Sequence, residues 1–480
     1  MAHAGTASSV DAQQASDALI VKPVEIKAGF EQIALPGNEA MGLVGTSYLI
    51  GMGASGLYLG PAAYGAITGQ RGGFFTVGGE LAWHRPLFSR LEMAAGLYAG
   101  GGGGGGSSVG GGLMVRPHLD LLWDLGGYHA GISASNVRFP NGNINSNQLG
   151  LVFSADSDFS YYRPNRIGQK VEALGRSGVG FDRVLITLGA YRQKSGGAAA
   201  PGSFGFVGAR MEQFYSQHLY RGIEVVGGAG GGVAGYAEYL GTLGAETPVW
   251  DGQLAVGTRM SVGMGGGGGV SVGGGALAKL GAYATADLSR DAHLSLEGGY
   301  ANAPAGNFRA TYGAANFVWD MDHPYASGGE PEMVGNEWVL GSEHYFGAAR
   351  KGGSRRDLDA VVIKLNRYLT PSFYLTGQAH SAYSGNAGAY SAGLVGAGYH
   401  SAKFAHGLSA GAELLLGVSG GGAVDTGGGA AIQPMVFLAM DLADEASLRL
   451  DAGRIKSLNG ALNSRILGFS ISFSFGTAKR

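Results

Sequence analysis

Arg116, His118 and Asp120 have the residue types that proton transfer needs, and they stand two apart in the stretch LMVRPHLDLLWDL. In an extended chain that spacing turns all three side chains to one face. A histidine between a cation and a carboxylate is an acid/base constellation. The corresponding positions of two related stretches further on read Lys279, Gly281, Tyr283 and Gln433, Met435, Phe437. That comparison does not support a repeated active site, and no catalytic residues are assigned. We read Arg116, His118, Asp120, Asp124, Lys279, Asp287, Gln433 and Asp441 as the polar lining of a pore. The seven glycines at 100–106 resemble a phosphate cradle, but neither a following helix nor a Lys-Ser/Thr pair is present. A flexible hairpin loop or a bent wall is expected there. The basic run RKGGSRRD at 350–357 reads as a solvated loop, with anionic lipid headgroups or a polyanion as the alternative contact. The 11 histidines lack metal-ligand spacing and there is no cysteine, so no metal site, Fe–S centre or disulfide framework is expected. No cofactor is implied.

The elements that position these residues are strands. In RILGFSISFSFG, Phe469, Ile471, Phe473 and Phe475 share one face while Ser470, Ser472 and Ser474 share the other. In 113–125, Leu113, Val115, Leu119, Leu121, Trp123 and Leu125 oppose Met114, Arg116, His118, Asp120, Leu122 and Asp124. Turn signals such as PNGN at 140–143 and LNGA at 458–461 separate such runs.

The chain also repeats. Block 91–125 aligns without gaps to 254–288 and 408–442, and block 57–84 aligns to 219–246 and 373–400. All three longer blocks end in Asp-Leu, at Asp124, Asp287 and Asp441. Each unit holds about eight strands, placed in the first near 24–34, 41–51, 56–67, 72–84, 90–101, 109–125, 127–138 and 147–156. The organisation read from this is a flexible N-terminal segment 1–23, unit 1 over 24–156, a linker at 157–181, unit 2 over 182–320, a linker at 321–335 and unit 3 over 336–476. About 24 strands in 480 residues leave 20 residues per strand and turn, which suits a membrane wall. The fold expected is all-β: one transmembrane antiparallel barrel of about 24 strands built from three tandem eight-strand repeats. Three separate eight-stranded barrels are the alternative, and a soluble β-solenoid or sandwich a further one. Trp83, Trp123, Trp250, Trp319, Tyr161 and Tyr162 near strand ends fit interfacial girdles. The glycine content, 92 residues, is only partly explained by a crowded wall or strand bends.

The even strand number, the alternating strands and the near-terminal FSISFSFG resemble bacterial outer-membrane β-barrel proteins. In that group the last residue is usually an aromatic read by the assembly machinery; here Gly-Thr-Ala-Lys-Arg follows Phe475. The resemblance implies location in the bacterial outer membrane and contact with membrane lipid. His293-Leu294-Ser295 resembles the His-x-Ser strand motif of outer-membrane lipid A deacylases, with Ala130/Ile132 and Ser447/Arg449 taken as its counterparts and no acidic partner identified. The net charge of −2 removes the footprint of a nucleic-acid binder. The expected function is a pore or export conduit passing solutes or a secreted polymer through a polar lumen, with periplasmic export components as partners. A structural or adhesion barrel without transport is the second reading, and a lipid-modifying enzyme the third. Ala2-His3-Ala4 has the small-x-small form of a signal-peptidase site, so 1–23 reads either as a clipped signal remnant or as a mis-assigned or engineered start.

Overall fold

The structure is a computed structural model that describes residues 19–170, 177–195, 202–250, 252–321, 332–404 and 407–479. Alternating segments become strands of 10–18 residues, each joined antiparallel to its neighbour. The first eight are β1 (Ile20–Leu35), β2 (Glu39–Gly51), β3 (Leu57–Thr68), β4 (Phe75–Phe88), β5 (Leu91–Gly103), β6 (Met114–Asp124), β7 (Tyr128–Arg138) and β8 (Asn145–Tyr161). The second eight are β9 (Arg183–Ser195), β10 (Ser203–Phe214), β11 (Leu219–Gly228), β12 (Ala237–Val249), β13 (Leu254–Gly266), β14 (Ala276–Asp287), β15 (Ala292–Asn302) and β16 (Arg309–Asp320). The last eight are β17 (Glu332–Ala349), β18 (Arg355–Tyr368), β19 (Phe373–Ala382), β20 (Ser391–His400), β21 (Leu408–Gly420), β22 (Ala430–Ala443), β23 (Ala446–Ser457) and β24 (Asn463–Lys479).

The single wide barrel expected from the repeats is not what forms. Each unit closes on itself, giving three eight-stranded barrels. In barrel 1, β1 pairs with β8 from Ile20↔Tyr161 to Glu31↔Gly150. In barrel 2, β9 pairs with β16 from Arg183↔Asp320 to Ser195↔Arg309, and in barrel 3, β17 pairs with β24 from Glu332↔Lys479 to Phe346↔Arg465. Closure within the unit satisfies both edge strands before the next unit begins. The segments from Tyr161 to Arg183 and from Asp320 to Glu332 are far longer than the few residues of a hairpin turn, so nothing forces β8 onto β9 or β16 onto β17.

The expected segment 1–23 overlaps β1, which starts at Ile20; residues 1–18 lie outside the described residues. The expected linker 157–181 begins inside β8 and includes one 3-10 turn, Pro164–Arg166. It bridges to barrel 3: Tyr162 and Gly476 exchange backbone hydrogen bonds of 3.0 and 2.7 Å, and the Gly168 N–H donates to the Met333 carbonyl at 2.8 Å. Residues 171–176 and 322–331, parts of the two expected linkers, lie outside the described residues.

Period-two alternation puts large apolar side chains on the outside of each wall. Leu149, Leu151 and Phe153 of β8, Leu280 of β14, and Leu467, Phe469 and Ile471 of β24 are all exposed. The intervening small, polar and charged residues turn inward. Odd strands run from the end carrying the inter-unit segments, here the linker end, to the end carrying the glycine-rich loops, here the glycine end.

Candidate functional site

Each lumen is filled by ion pairs. In barrel 1, Arg116 of β6 meets Glu31 of β1 through Nε–Oε1 at 2.8 Å and Nη2–Oε2 at 3.0 Å. The Ser135 hydroxyl also donates to Glu31, at 2.6 Å. His118 lies 3.2 Å from Glu80 and 3.1 Å from Asp120, and Lys27 pairs with both carboxylates. In barrel 2, Lys279 contacts Glu224 at 2.6 Å and Glu238 at 3.2 Å. Arg210 pairs with Glu224 at 2.9 Å, Arg259 pairs with Glu297, and the Tyr191 and Tyr236 hydroxyls donate to Glu238 at 2.7 and 2.6 Å. In barrel 3, Lys364 reaches Asp451 at 3.2 Å and Arg449 reaches Glu413 at 2.6 Å. Tyr374 adds a hydroxyl donor to Glu413 at 2.7 Å, and Arg449 stacks 3.6 Å above the Phe437 ring. Most of these charges are both paired and hydrogen-bonded, which lets them tolerate removal from water. The space left beside Lys27, Glu31, Arg116 and Asp120 is about 20 Å³, room for about one water. Glycines in the wall make room for the inward rings. Tyr374 packs over Gly398, and Tyr312 over Gly281 and Gly299.

Towards the glycine end each lumen turns apolar. Barrel 1 holds Ile33, Met41, Phe74, Tyr98, Met114 and Phe139, and barrels 2 and 3 have matching clusters. The loop after the fifth strand of each unit folds over the mouth as a lid and buries side chains in it: Val109, then Val270 and Val272, then Val424 and Thr426. The lids are built alike. At their bases the N–H groups of Gly102, Gly265 and Ser419 donate to the carbonyls of Gly112, Gly275 and Gly429, at 3.0, 2.8 and 2.7 Å. Each lid is also stitched to the turn after the seventh strand. The N–H groups of Asn143, Phe308 and Leu462 donate to the carbonyls of Ser108, Ser271 and Asp425. Arg71 clamps the first lid by donating to the Gly105 and Gly106 carbonyls while it pairs with Glu39.

The barrels meet in a ring. The third strand of each unit packs on the fifth strand of the next: β3 on β13, β11 on β21, β19 on β5. Equivalent residues form the three seams. Gly65 faces Met264, Gly227 faces Val418, and the Ser381 hydroxyl donates to the Gly101 carbonyl at 2.9 Å. Backbone bonds cross each seam as well, from the N–H of Gly72 to Gly273, of Gly230 to Gly428 and of Gly388 to Gly110, at 2.9, 2.7 and 3.1 Å. Gly73 and Gly235 explain why glycine is needed: φ is +87° and +90°, and a Cβ would strike the backbone of Gly267 or Gly421 in the neighbouring barrel. Gly73, Gly104, Gly235, Gly267, Ala389 and Gly421 surround a space of about 510 Å³ where the three barrels converge. Much of the glycine excess thus serves lids and seams. At the linker end, Phe159, Tyr161 and Phe475 form a buried aromatic cluster with Trp338 between barrels 1 and 3.

The eight residues read as one pore lining occupy three lumens and their rims. Arg116, His118 and Asp120 lie inside barrel 1, Lys279 inside barrel 2 and Gln433 inside barrel 3, where the Gln433 amide makes no hydrogen bond. Asp124 and Asp287 end β6 and β14 at the linker-end rim, and Asp441 lies two residues before the end of β22 at the same rim. There Asp124 accepts from the Gly126 N–H at 2.7 Å, Asp287 from His293 at 2.7 Å, and Asp441 pairs with Lys403 at 2.6 Å. Sequence reasoning missed most of the charged groups that fill the lumens beside them: Glu31, Lys27 and Glu80 in barrel 1, Glu224 and Arg210 in barrel 2, and Glu413 and Arg449 in barrel 3. Each sits on the polar phase of its strand, which is the signal that could have found them. Trp83, Trp123 and Trp250 are exposed and Trp319 partly so, all at the linker end, whereas Tyr161 and Tyr162 are buried.

His293 is clamped by Asp287 and, at 3.1 Å, by Asp320. Its counterpart in barrel 1 is His129, not Ala130, because the turn from Asp287 to His293 is one residue longer than that from Asp124 to His129. Ser295 points into the lumen and its hydroxyl makes no hydrogen bond, so His293 does not activate it. No group of three histidine or carboxylate residues suited to a metal ion occurs among the described residues.

No protein-family model matches the sequence, and comparison with curated proteins finds no match. Solved structures similar to the chain include three proteins of Pseudomonas aeruginosa. The outer membrane protein OpdK is 11% identical, with 95% of this chain and 99% of that chain covered and a TM-score of 0.23. OpdQ is 10% identical, with 95% and 98% covered and a TM-score of 0.22. The ferric enterobactin receptor PfeA is 10% identical, with 95% and 81% covered and a TM-score of 0.28.

Proposed function

We propose that this chain is a bacterial outer-membrane protein holding three sealed β-barrels side by side in the bilayer, a closed structural array with no standing pore. Support for the membrane comes from the walls. Strands of 10–18 residues reach or exceed the ~9–11 needed to cross, and the outward residues along their middle are mostly apolar. No helix among the described residues is long and apolar enough to cross a membrane, so the strands carry the crossing in this reading. The observation that carries the closed state is the filling of each lumen by ion pairs beneath an apolar lid.

The test is reconstitution into vesicles and planar bilayers. Unboiled protein should run differently from boiled protein on a gel, and vesicles should not swell in sugars. Large, steady conductance steps would overturn the reading. The lids favour a second reading, a gated conduit that conducts when a lid lifts. It requires brief openings that become more frequent when Arg71→Ala removes the clamp on the Gly105 and Gly106 carbonyls.

A further inference from the structure

The two ends of the barrels differ in what their outer walls present. Trp83, Trp123, Trp250 and Trp319 stand at the linker end, as aromatic side chains do at a bilayer interface. At the glycine end the outer walls carry cations. Arg454 of β23 and Arg465 of β24 are direct cross-strand partners, both exposed, and Lys456 follows on the same face. The residues between them, Ile455, Ser464 and Ile466, are buried inside the barrel, so the three cations point outward. Like charges placed opposite one another on a sheet repel. No carboxylate pairs with these three among the described residues. Two acids of β18 at that end are engaged elsewhere: Asp357 by the Gly347 N–H and His344, Asp359 by His344 and Ser384.

The apolar belt ends where this triplet begins. Leu467 is two residues from Arg465, about 7 Å along the strand, and Phe346 lies opposite Arg465 on β17. Barrel 2 also carries three outward cations at the same end, without a direct cation pair. Arg192 and Lys194 of β9 and Arg309 of β16 are exposed, and Lys194 lies 5.3 Å from the Tyr300 ring centre.

We propose that these two triplets bind the phosphate groups of anionic lipid headgroups in the leaflet at the glycine end. This rests on the membrane reading above. A phosphate between Arg454 and Arg465 would relieve their repulsion and accept paired N–H donors from a guanidinium fork. The position one step beyond the apolar belt is headgroup depth.

The test uses the full chain, purified in detergent, with native mass spectrometry of retained phosphatidylglycerol or phosphatidylcholine. A variant with all six cations changed to Gln (R454Q, K456Q, R465Q, R192Q, K194Q and R309Q) is compared with the unaltered protein. The unaltered protein should retain the anionic lipid at least about tenfold better, and the variant should lose most of that preference. Both must show the same boiled-versus-unboiled gel shift; if the six-fold variant does not fold, the two single-triplet variants carry the test. No preference in the unaltered protein, or a preference that survives in the variants, overturns the proposal. So does inorganic phosphate competing as well as the lipid. In parallel, insertion into vesicles of phosphatidylcholine and of phosphatidylglycerol is measured. Insertion there without any lipid preference overturns this proposal alone, whereas failure to insert into either lipid overturns the membrane reading with it.

Discussion

Removing Arg116 tests whether the lumen of barrel 1 is sealed or wet. Its guanidinium and the Glu31 carboxylate form a two-point pair, and both side chains are more than nine-tenths buried. With charge centres about 4 Å apart, the attraction is ~4 kcal/mol at an effective dielectric constant near 20 and ~1 kcal/mol in bulk water. In a sealed lumen Arg116→Met leaves an uncompensated buried carboxylate, at a cost of about 3–5 kcal/mol. Glu31→Met should cost a similar amount by stranding the guanidinium. The double variant removes both charges and should be far less unstable than the two singles summed, with a coupling of at least ~2 kcal/mol. The assay is urea unfolding of protein folded into vesicles, followed by tryptophan fluorescence and the gel shift. In a water-filled channel the orphaned charge would be solvated and each single variant would lose only about 0.2–1 kcal/mol. Single effects below ~1 kcal/mol that simply add would therefore refute the sealed lumen and favour an aqueous path.

Three further outcomes follow from the seams and walls. Gly235→Leu forces a side chain onto a residue with φ +90°, where its Cβ would lie 2.8 Å from the Gly421 nitrogen. It should cost at least ~2 kcal/mol in thermal or urea stability, while Gly241→Ala, with its nearest atom at 3.8 Å, should change little. Leu280→Arg places a charge on the outer wall of β14 and should destabilise the vesicle-inserted protein by about 2–4 kcal/mol in the same titration. Phe475→Ala empties the aromatic cluster between barrels 1 and 3 and should cost roughly 3–5 kcal/mol, read as a lower urea midpoint with unchanged slope.

Strand existence and facing were legible because both depend on a local period. Met114, Arg116, His118, Asp120 and Leu122 all turn inward, as alternation requires. The pairing β1–β8 rather than β8–β9 was not legible. A strand with an apolar outside and a polar inside reads the same in a wall of eight or of 24, and the choice depends on edges distant in sequence. The partner of Arg116 was hidden for a similar reason, since Glu31 is 85 residues away. Gapless alignment paired His293 with Ala130; a turn one residue longer in unit 2 moves the true counterpart to His129. The glycines resisted a reading along one strand because what they accommodate, at Gly73 and Gly235, is the backbone of another barrel.

The head-to-tail ring of β3 on β13, β11 on β21 and β19 on β5 is the geometry of a rotationally closed trimer, held within one polypeptide. Three identical subunits would have to accept a single compromise at every junction. Fusion lifts that constraint. Glycine against methionine, glycine against valine and serine against glycine are three separate solutions to one steric problem, each free to drift without disturbing its siblings. Copy number is set at translation, and dilution cannot dissociate the assembly into free thirds.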